Sequence, residues 1–176
     1  MTTLLLVAHG LNESLRRTVF GGTADLDPSA LRAAALMDAS GNVVLSGPAP
    51  ACVQTASVFG KPVIEPALAD CDYGSWTGRE LGEISSEDLH RWLTDPDSAP
   101  HGGESRTEVV RRVGIWLGTM TDPDRRTVLA VTHAVVVRAA VIHALDSAAF
   151  WRVDVQPLSV TRLRSGPRGW TLVLSS

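Results

Sequence analysis

The chain has 176 residues, 44% of them hydrophobic and 20% charged, with a formal net charge of −3. That balance suits one globular domain, residues 1–176, with a sizeable core; it excludes disordered and fibrous classes and leaves no basic footprint for nucleic acid. Cys52 and Cys71 are too few for a disulfide framework, and no apolar run approaches the ~20 residues of a membrane span or the layout of a signal peptide, so a cytoplasmic protein is expected.

Leu4-Leu5-Leu6-Val7-Ala8 is an apolar run of the kind a strand covered on both faces needs, and it ends on His9 and Gly10. Leu11 to Asp27 is polar and glycine-containing and reads as a long loop. Pro28 opens a helix through Leu36, and Asn42 to Ser46 is a second strand. A helix from Ala51 to Phe59 closes on Gly60, and Pro62 to Glu65 forms a third strand. An insert at about 66–104 follows: an irregular loop from Leu68 to Gly78, a short helix around Glu80, and another from Ser86 to Leu93 capped by Ser85 or Ser86.

Glu104 to Met120 carries Val109, Val110, Val113, Trp116 and Leu117 at helical spacing. Asp122-Pro123-Asp124 turns the chain into a second strand, Thr127 to Thr132, which again ends on a histidine, His133, and leads into a helix from Ala134 to Leu145. Leu158 to Leu163 and Trp170 to Leu174 form an edge hairpin. Strands alternating with helices give a three-layer α/β/α sandwich with a mostly parallel central sheet. If the two histidine-bearing strands are neighbours, His9 and His133 meet at the carboxyl edge of the sheet, where such folds bind ligands.

Several segments, in order, resemble the histidine phosphatase superfamily, the phosphoglycerate-mutase-like fold. Ala8-His9-Gly10 is similar to that family's Arg-His-Gly, and Ser46-Gly47-Pro48 with Gln54-Thr55-Ala56 is similar to its Ser-Ser-Pro…Arg-Ala-x-Gln-Thr-Ala. Leu68 to Gly78, Gly102-Gly103-Glu104-Ser105 and Val131-Thr132-His133 complete the set. The resemblance implies His9 as the nucleophile, His133 as its companion and Asp70 as the acid, with Gly10, Asn12, Arg16, Trp76, Glu104, Ser105 and Ala134 around the substrate.

The departures carry the functional argument. Ala8 and Ala51 stand where the family has arginines, Leu15 stands near the family's asparagine, and Asp70 replaces a glutamate. Phosphoryl transfer depends on neutralising the equatorial oxygens. At roughly 1.5–3 kcal/mol per charge-assisted hydrogen bond, losing two arginines removes about 3–6 kcal/mol, or about 10²- to 10⁴-fold in rate. Arg16 and Arg17 lie in the loop after the first strand, either as solvated residues or as long side chains that reach back over the pocket, and Arg138 reads as a surface residue of its helix.

Asp70 is a loop cap or an acid, with Asp72 and Glu65 as fallback acids, and Ser105 is a site residue or a helix cap. His90 and His101 read as solvent-facing, His143 as a core residue, and the five tryptophans as packing, with Trp76 beside the pocket. No cluster has metal-ligand spacing, so neither metal nor cofactor is expected. The expected partner is a small-molecule substrate, with a homodimer left open. Three readings follow: an enzyme repurposed toward a neutral or carboxylate-bearing substrate, a phosphatase with weakened or relocated phosphate contacts, and a catalytically silent binding protein.

Overall fold

In the computed structural model, which describes residues 1–120 and 126–174, the two histidine-bearing strands lie side by side. Strand β1 (Thr3–Ala8) pairs in parallel with β4 (Thr127–Thr132), in a register that sets Ala8 opposite Thr132. Strand β2 (Val43–Ser46) pairs with the other edge of β4, and the two-residue β3 (Val63–Ile64) with β2, all in parallel. The hairpin of β5 (Val160–Gly166) and β6 (Gly169–Val173) adds antiparallel to β1, giving the order β3-β2-β4-β1-β5-β6. The Asp122-Pro123-Asp124 turn lies outside the described residues.

Helices cover both faces, which is why β1 and β4 read as unbroken apolar runs rather than alternating ones. On one face, α2 (Pro28–Ala35) packs on α3 (Pro50–Ser57), which lies over β2 and β4; each opens with a proline at its first turn. Val7, Leu129 and Val131 meet Cys52 and Ala56 of α3 there. On the other face, α5 (Arg106–Thr119) and α6 (Ala134–Leu145) enclose the larger core around Leu4, Leu6, Ala130, Val136 and Leu117. Ser105 and Glu108 cap α5 reciprocally, each side chain taking the other's backbone N–H at 3.2 and 2.7 Å.

Three expectations are corrected. The segment 11–27 is not a plain loop: it holds the short helix α1 (Glu13–Arg16), a bridge between Asn12 and Leu26, and a second bridge from Val19 to Glu80 that folds it over the insert. His101 does not face solvent; it is buried, its Nδ1 accepts the Gly103 N–H at 3.0 Å, and its ring lies 4.8 and 4.9 Å from those of Trp92 and Trp76. His143, expected in the core, is exposed in the last turn of α6.

The insert contributes three single 3-10 turns and the helix α4 (Ser86–Thr94), capped by Ser85. Its return is pinned where Gly103 passes Asp72: a Cβ at position 103 would lie 1.9 Å from the Asp72 carbonyl oxygen, so only glycine fits. Glu104 N–H donates to that same carbonyl at 2.8 Å.

Candidate active site

The parallel β1–β4 register delivers His9 and His133 to the same edge of the sheet, their ring centroids 4.9 Å apart in an edge-to-face contact. His9 N–H continues the ladder to Thr132 O at 2.9 Å. Its Nδ1 lies 2.8 Å from Gly10 O; a carbonyl only accepts, so Nδ1 carries the proton and Nε2 keeps a free lone pair. Gly10 lies against the start of α2, where a Cβ would come within 2.7 Å of Leu26 Cδ1 just ahead of the helix and 3.0 Å of Ala30 Cβ within it, and its N–H donates to Thr55 Oγ1 at 3.2 Å.

His133 sits at the N-cap position of α6, with Nδ1 at 3.3 Å from Asp70 Oδ2 and Nε2 at 3.4 Å from Cys52 Sγ. Asp70 is delivered by the loop after β3. Thr132 Oγ1 donates to Leu68 O at 2.7 Å, and Cys71 N–H donates to Asp70 Oδ1 at 2.8 Å. Arg112 of α5 clamps that loop from behind, donating to the carbonyls of Ala67, Ala69 and Asp70 while forking onto Glu104 at 2.8 and 2.9 Å.

Burial sets the electrostatics. Desolvation, reinforced by the neighbouring imidazole, brings His9 down to about 4; desolvation and then the Arg112 charge bring His133 to about 4 as well. Both rings are therefore neutral near pH 7. Desolvation pushes Asp70 up to about 6, against the Cys71 N–H that favours its anion. Its side chain keeps 25% of its surface toward the cavity, where a substrate would complete the desolvation. Burial likewise pushes the Cys52 thiol well up.

These groups open into a cavity of about 340 Å³ walled by Leu15, Val19, Phe20, Tyr73 and Trp151, with Ala134 beside the histidines. Among the described residues its guanidinium comes from Arg138, which corrects the expectation of a surface residue. Arg138 is half-buried, donates through Nε to Val153 O at 2.8 Å, stacks 5.7 Å over the Trp151 ring, and makes no ion pair among the described residues. A second cleft of about 370 Å³, between Gly21-Gly22 and Pro48, reaches Asp70 and His133 from the other side.

Of the expected substrate residues, Ala134 lines the main cavity, while Ala8, Gly10 and Ala51 are buried next to it in sequence or register. The others do not border either cleft. Asn12 caps α1, accepting from Leu15 N–H at 2.9 Å and donating to Ala24 O at 3.0 Å. Arg16 pairs with Asp27 and Arg17 with Glu80, both on the surface. Trp76 is buried behind Phe20, at 5.1 Å between rings, Glu104 holds Arg112, and Ser105 is the α5 cap. Glu65 and Asp72 cap local turns through Ala67 N–H and Gly74 N–H.

Sequence reasoning missed Arg138, Tyr73 and Trp151 as cavity residues and Cys52 as a neighbour of the histidines. Arg138 stands alone among apolar residues one turn beyond His133, which was the available signal. No comparable signal marked Cys52.

A two-histidine, one-carboxyl centre at the carboxyl edge of this sheet defines a histidine-phosphatase-type fold, and comparison with known proteins agrees. The family model of the histidine phosphatase superfamily (branch 1) matches residues 4–176, and the chain belongs to that superfamily. It is 31% identical over 163 residues to a bifunctional protein of Mycobacterium tuberculosis; the match covers 83% of this chain and 45% of that protein, so the chain spans about half the length of the curated relative. Among solved structures, it is similar to a phosphoserine phosphatase from Entamoeba histolytica (TM-score 0.86, 16% identity, 99% of this chain and 96% of that one). It is also similar to a mycobacterial glucosyl-3-phosphoglycerate phosphatase (TM-score 0.83, 22% identity, 98% and 97%). Those two likenesses speak to the fold.

Proposed function

We propose that this chain is an enzyme acting on a small molecule with an apolar body and a single anionic group, through nucleophilic or acid–base chemistry at His9. The reading rests on one observation: two neutral imidazoles and a carboxyl share the floor of an apolar cavity whose guanidinium, Arg138, belongs to α6 rather than to positions 8 and 51. The pairings of the three groups support a distinct role for each. The free Nε2 of His9 attacks or takes a proton, Asp70 supplies a proton to the departing atom, and His133, tied to Asp70, orients both. Arg138 holds the distant anion, a carboxylate suiting a lone fork flanked by aromatic walls.

A dianionic phosphoryl group at His9 would meet little fixed positive charge, so efficient phosphomonoester hydrolysis is not expected. The second reading, a phosphatase with relocated phosphate contacts, is favoured by that same Arg138 and by the activities of the similar structures. Steady-state assays separate the two. Turnover of p-nitrophenyl phosphate is expected to be barely above background and to rise about 10²- to 10⁴-fold when Ala8→Arg and Ala51→Arg are combined in a protein that still melts cooperatively. Brisk wild-type turnover, lost in both His9→Ala and Arg138→Met, would establish the phosphatase instead.

A further inference from the structure

Cys52 has no part in the chemistry above, yet it lies under both histidines. It is fully buried in α3, its Sγ is 3.4 Å from His133 Nε2, and donor atoms of His9, Cys52 and His133 all lie within 4.8 Å of one another. Both imidazoles are already held at Nδ1, His9 by the Gly10 carbonyl and His133 by the Asp70 carboxylate. Carboxylate or carbonyl anchoring of one ring nitrogen is how proteins orient a histidine whose other nitrogen binds a metal.

We propose that the chain binds one thiophilic divalent ion of the Zn2+ class through Nε2 of His9, Nε2 of His133 and Sγ of Cys52. Bonds of about 2.0–2.3 Å to a tetrahedral ion set its donors about 3.3–3.6 Å apart. The Cys52–His133 pair already meets that spacing, and the widest donor pair has to close by about 1 Å. Two imidazoles and a thiolate select Zn2+, Co2+ or copper over Mg2+ and Ca2+, which prefer oxygen. Three protein donors leave a fourth position for water or an outside ligand, as in metal sites that stay open.

On binding, the Cys52 S–H bond breaks, the S–metal bond forms, and one proton is released to solvent. The ion brings positive charge to the floor of a pocket that has alanines at positions 8 and 51. It also takes the lone pair of His9, so the loaded protein and the His9-active protein exclude one another.

Titration of metal-stripped protein with Co2+, followed by absorption spectroscopy, tests this without reading turnover. Its failure would therefore leave the His9 chemistry standing. One equivalent should produce intense tetrahedral visible bands and a thiolate-to-cobalt charge-transfer band, both abolished by added Zn2+, with one proton released per ion. Cys52→Ala, which removes only the sulfur and matches the alanine of the family motif, should lose the charge-transfer band. Asp70→Asn should weaken binding about 10- to 100-fold. His133→Asn provides a second ligand variant should Cys52→Ala fail to fold, and His90→Ala, on the exposed face of α4, should leave the spectrum unchanged. Absence of a stoichiometric spectrum, survival of the charge-transfer band in Cys52→Ala, or loss of binding in His90→Ala would overturn the site.

Discussion

On the proposed reading, Asp70 and Arg138 divide the work of the cavity, and each division is measurable at a single residue. Asp70 accepts Cys71 N–H at Oδ1 and meets His133 Nδ1 at Oδ2, while the same residue lines the open cavity where a leaving group would sit. Asp70→Asn keeps the shape and removes the proton source. Turnover should fall about 10²- to 10⁴-fold for substrates that release a basic alkoxide, and far less for those that release an activated phenolate. Equal losses across a leaving-group series would remove the acid role. Arg138→Met preserves the contact with Trp151 and deletes the fork. KM should rise about 10- to 100-fold, in line with one charge-assisted hydrogen bond, while kcat changes little. A fall confined to kcat would place Arg138 at the reacting atoms instead of at the distant anion.

At the scale of elements, the site depends on α5 reaching under the loop after β3. Arg112 satisfies three carbonyls of that loop and the Glu104 carboxylate at once, with its side chain 24% exposed. Arg112→Leu leaves the carbonyls without the guanidinium and Glu104 with only the Asp72 N–H; after allowance for solvent screening it should cost about 2 kcal/mol, lowering Tm by about 4–8 °C. Arg112→Lys should recover only part of this, since an ammonium cannot span a carboxylate and three carbonyls. A melt unchanged in both variants would mean the loop is held by Thr132 and Gly103 alone. None of this brace was legible in the sequence, whereas the elements it joins were. The strands β1 and β4 declared themselves by unbroken apolar runs, and α6 by its exact span from Ala134 to Leu145. What the sequence could not convey is which side chain meets which across the sheet. Cys52 precedes His133 by 81 positions and touches it only because α3 crosses β4. His101 has polar neighbours in sequence and so reads as a surface residue, although its burial is decided by Trp76, Trp92 and Tyr73 arriving from two other segments.

For the molecule as a whole, His101 makes the fold sensitive to acid. Burial lowers its pKa below the ordinary value of 6.5, its Nδ1 serves as acceptor for Gly103 N–H, and no hydrogen-bond partner faces its Nε2 among the rings around it. The folded state therefore binds this proton less readily than the unfolded chain. A histidine shifted down contributes stability that is fully present above its unfolded pKa and is lost as pH falls below about 6.5. His9 and His133 act in the same direction between about 6.5 and 4, while Asp70, shifted upward, acts oppositely below about 6. Three histidines against one carboxyl give a net loss of stability on acidification, at the junction where the insert returns to the core. Tm followed from pH 7.5 to 5 should decline by several degrees. His101→Asn, whose Oδ1 can still accept from Gly103 while carrying no titratable proton, should start from a lower Tm because it gives up ring packing, yet decline less steeply. A variant whose Tm runs parallel to the wild type across that range would show that the acid response arises at the two active-site imidazoles and not at the aromatic junction.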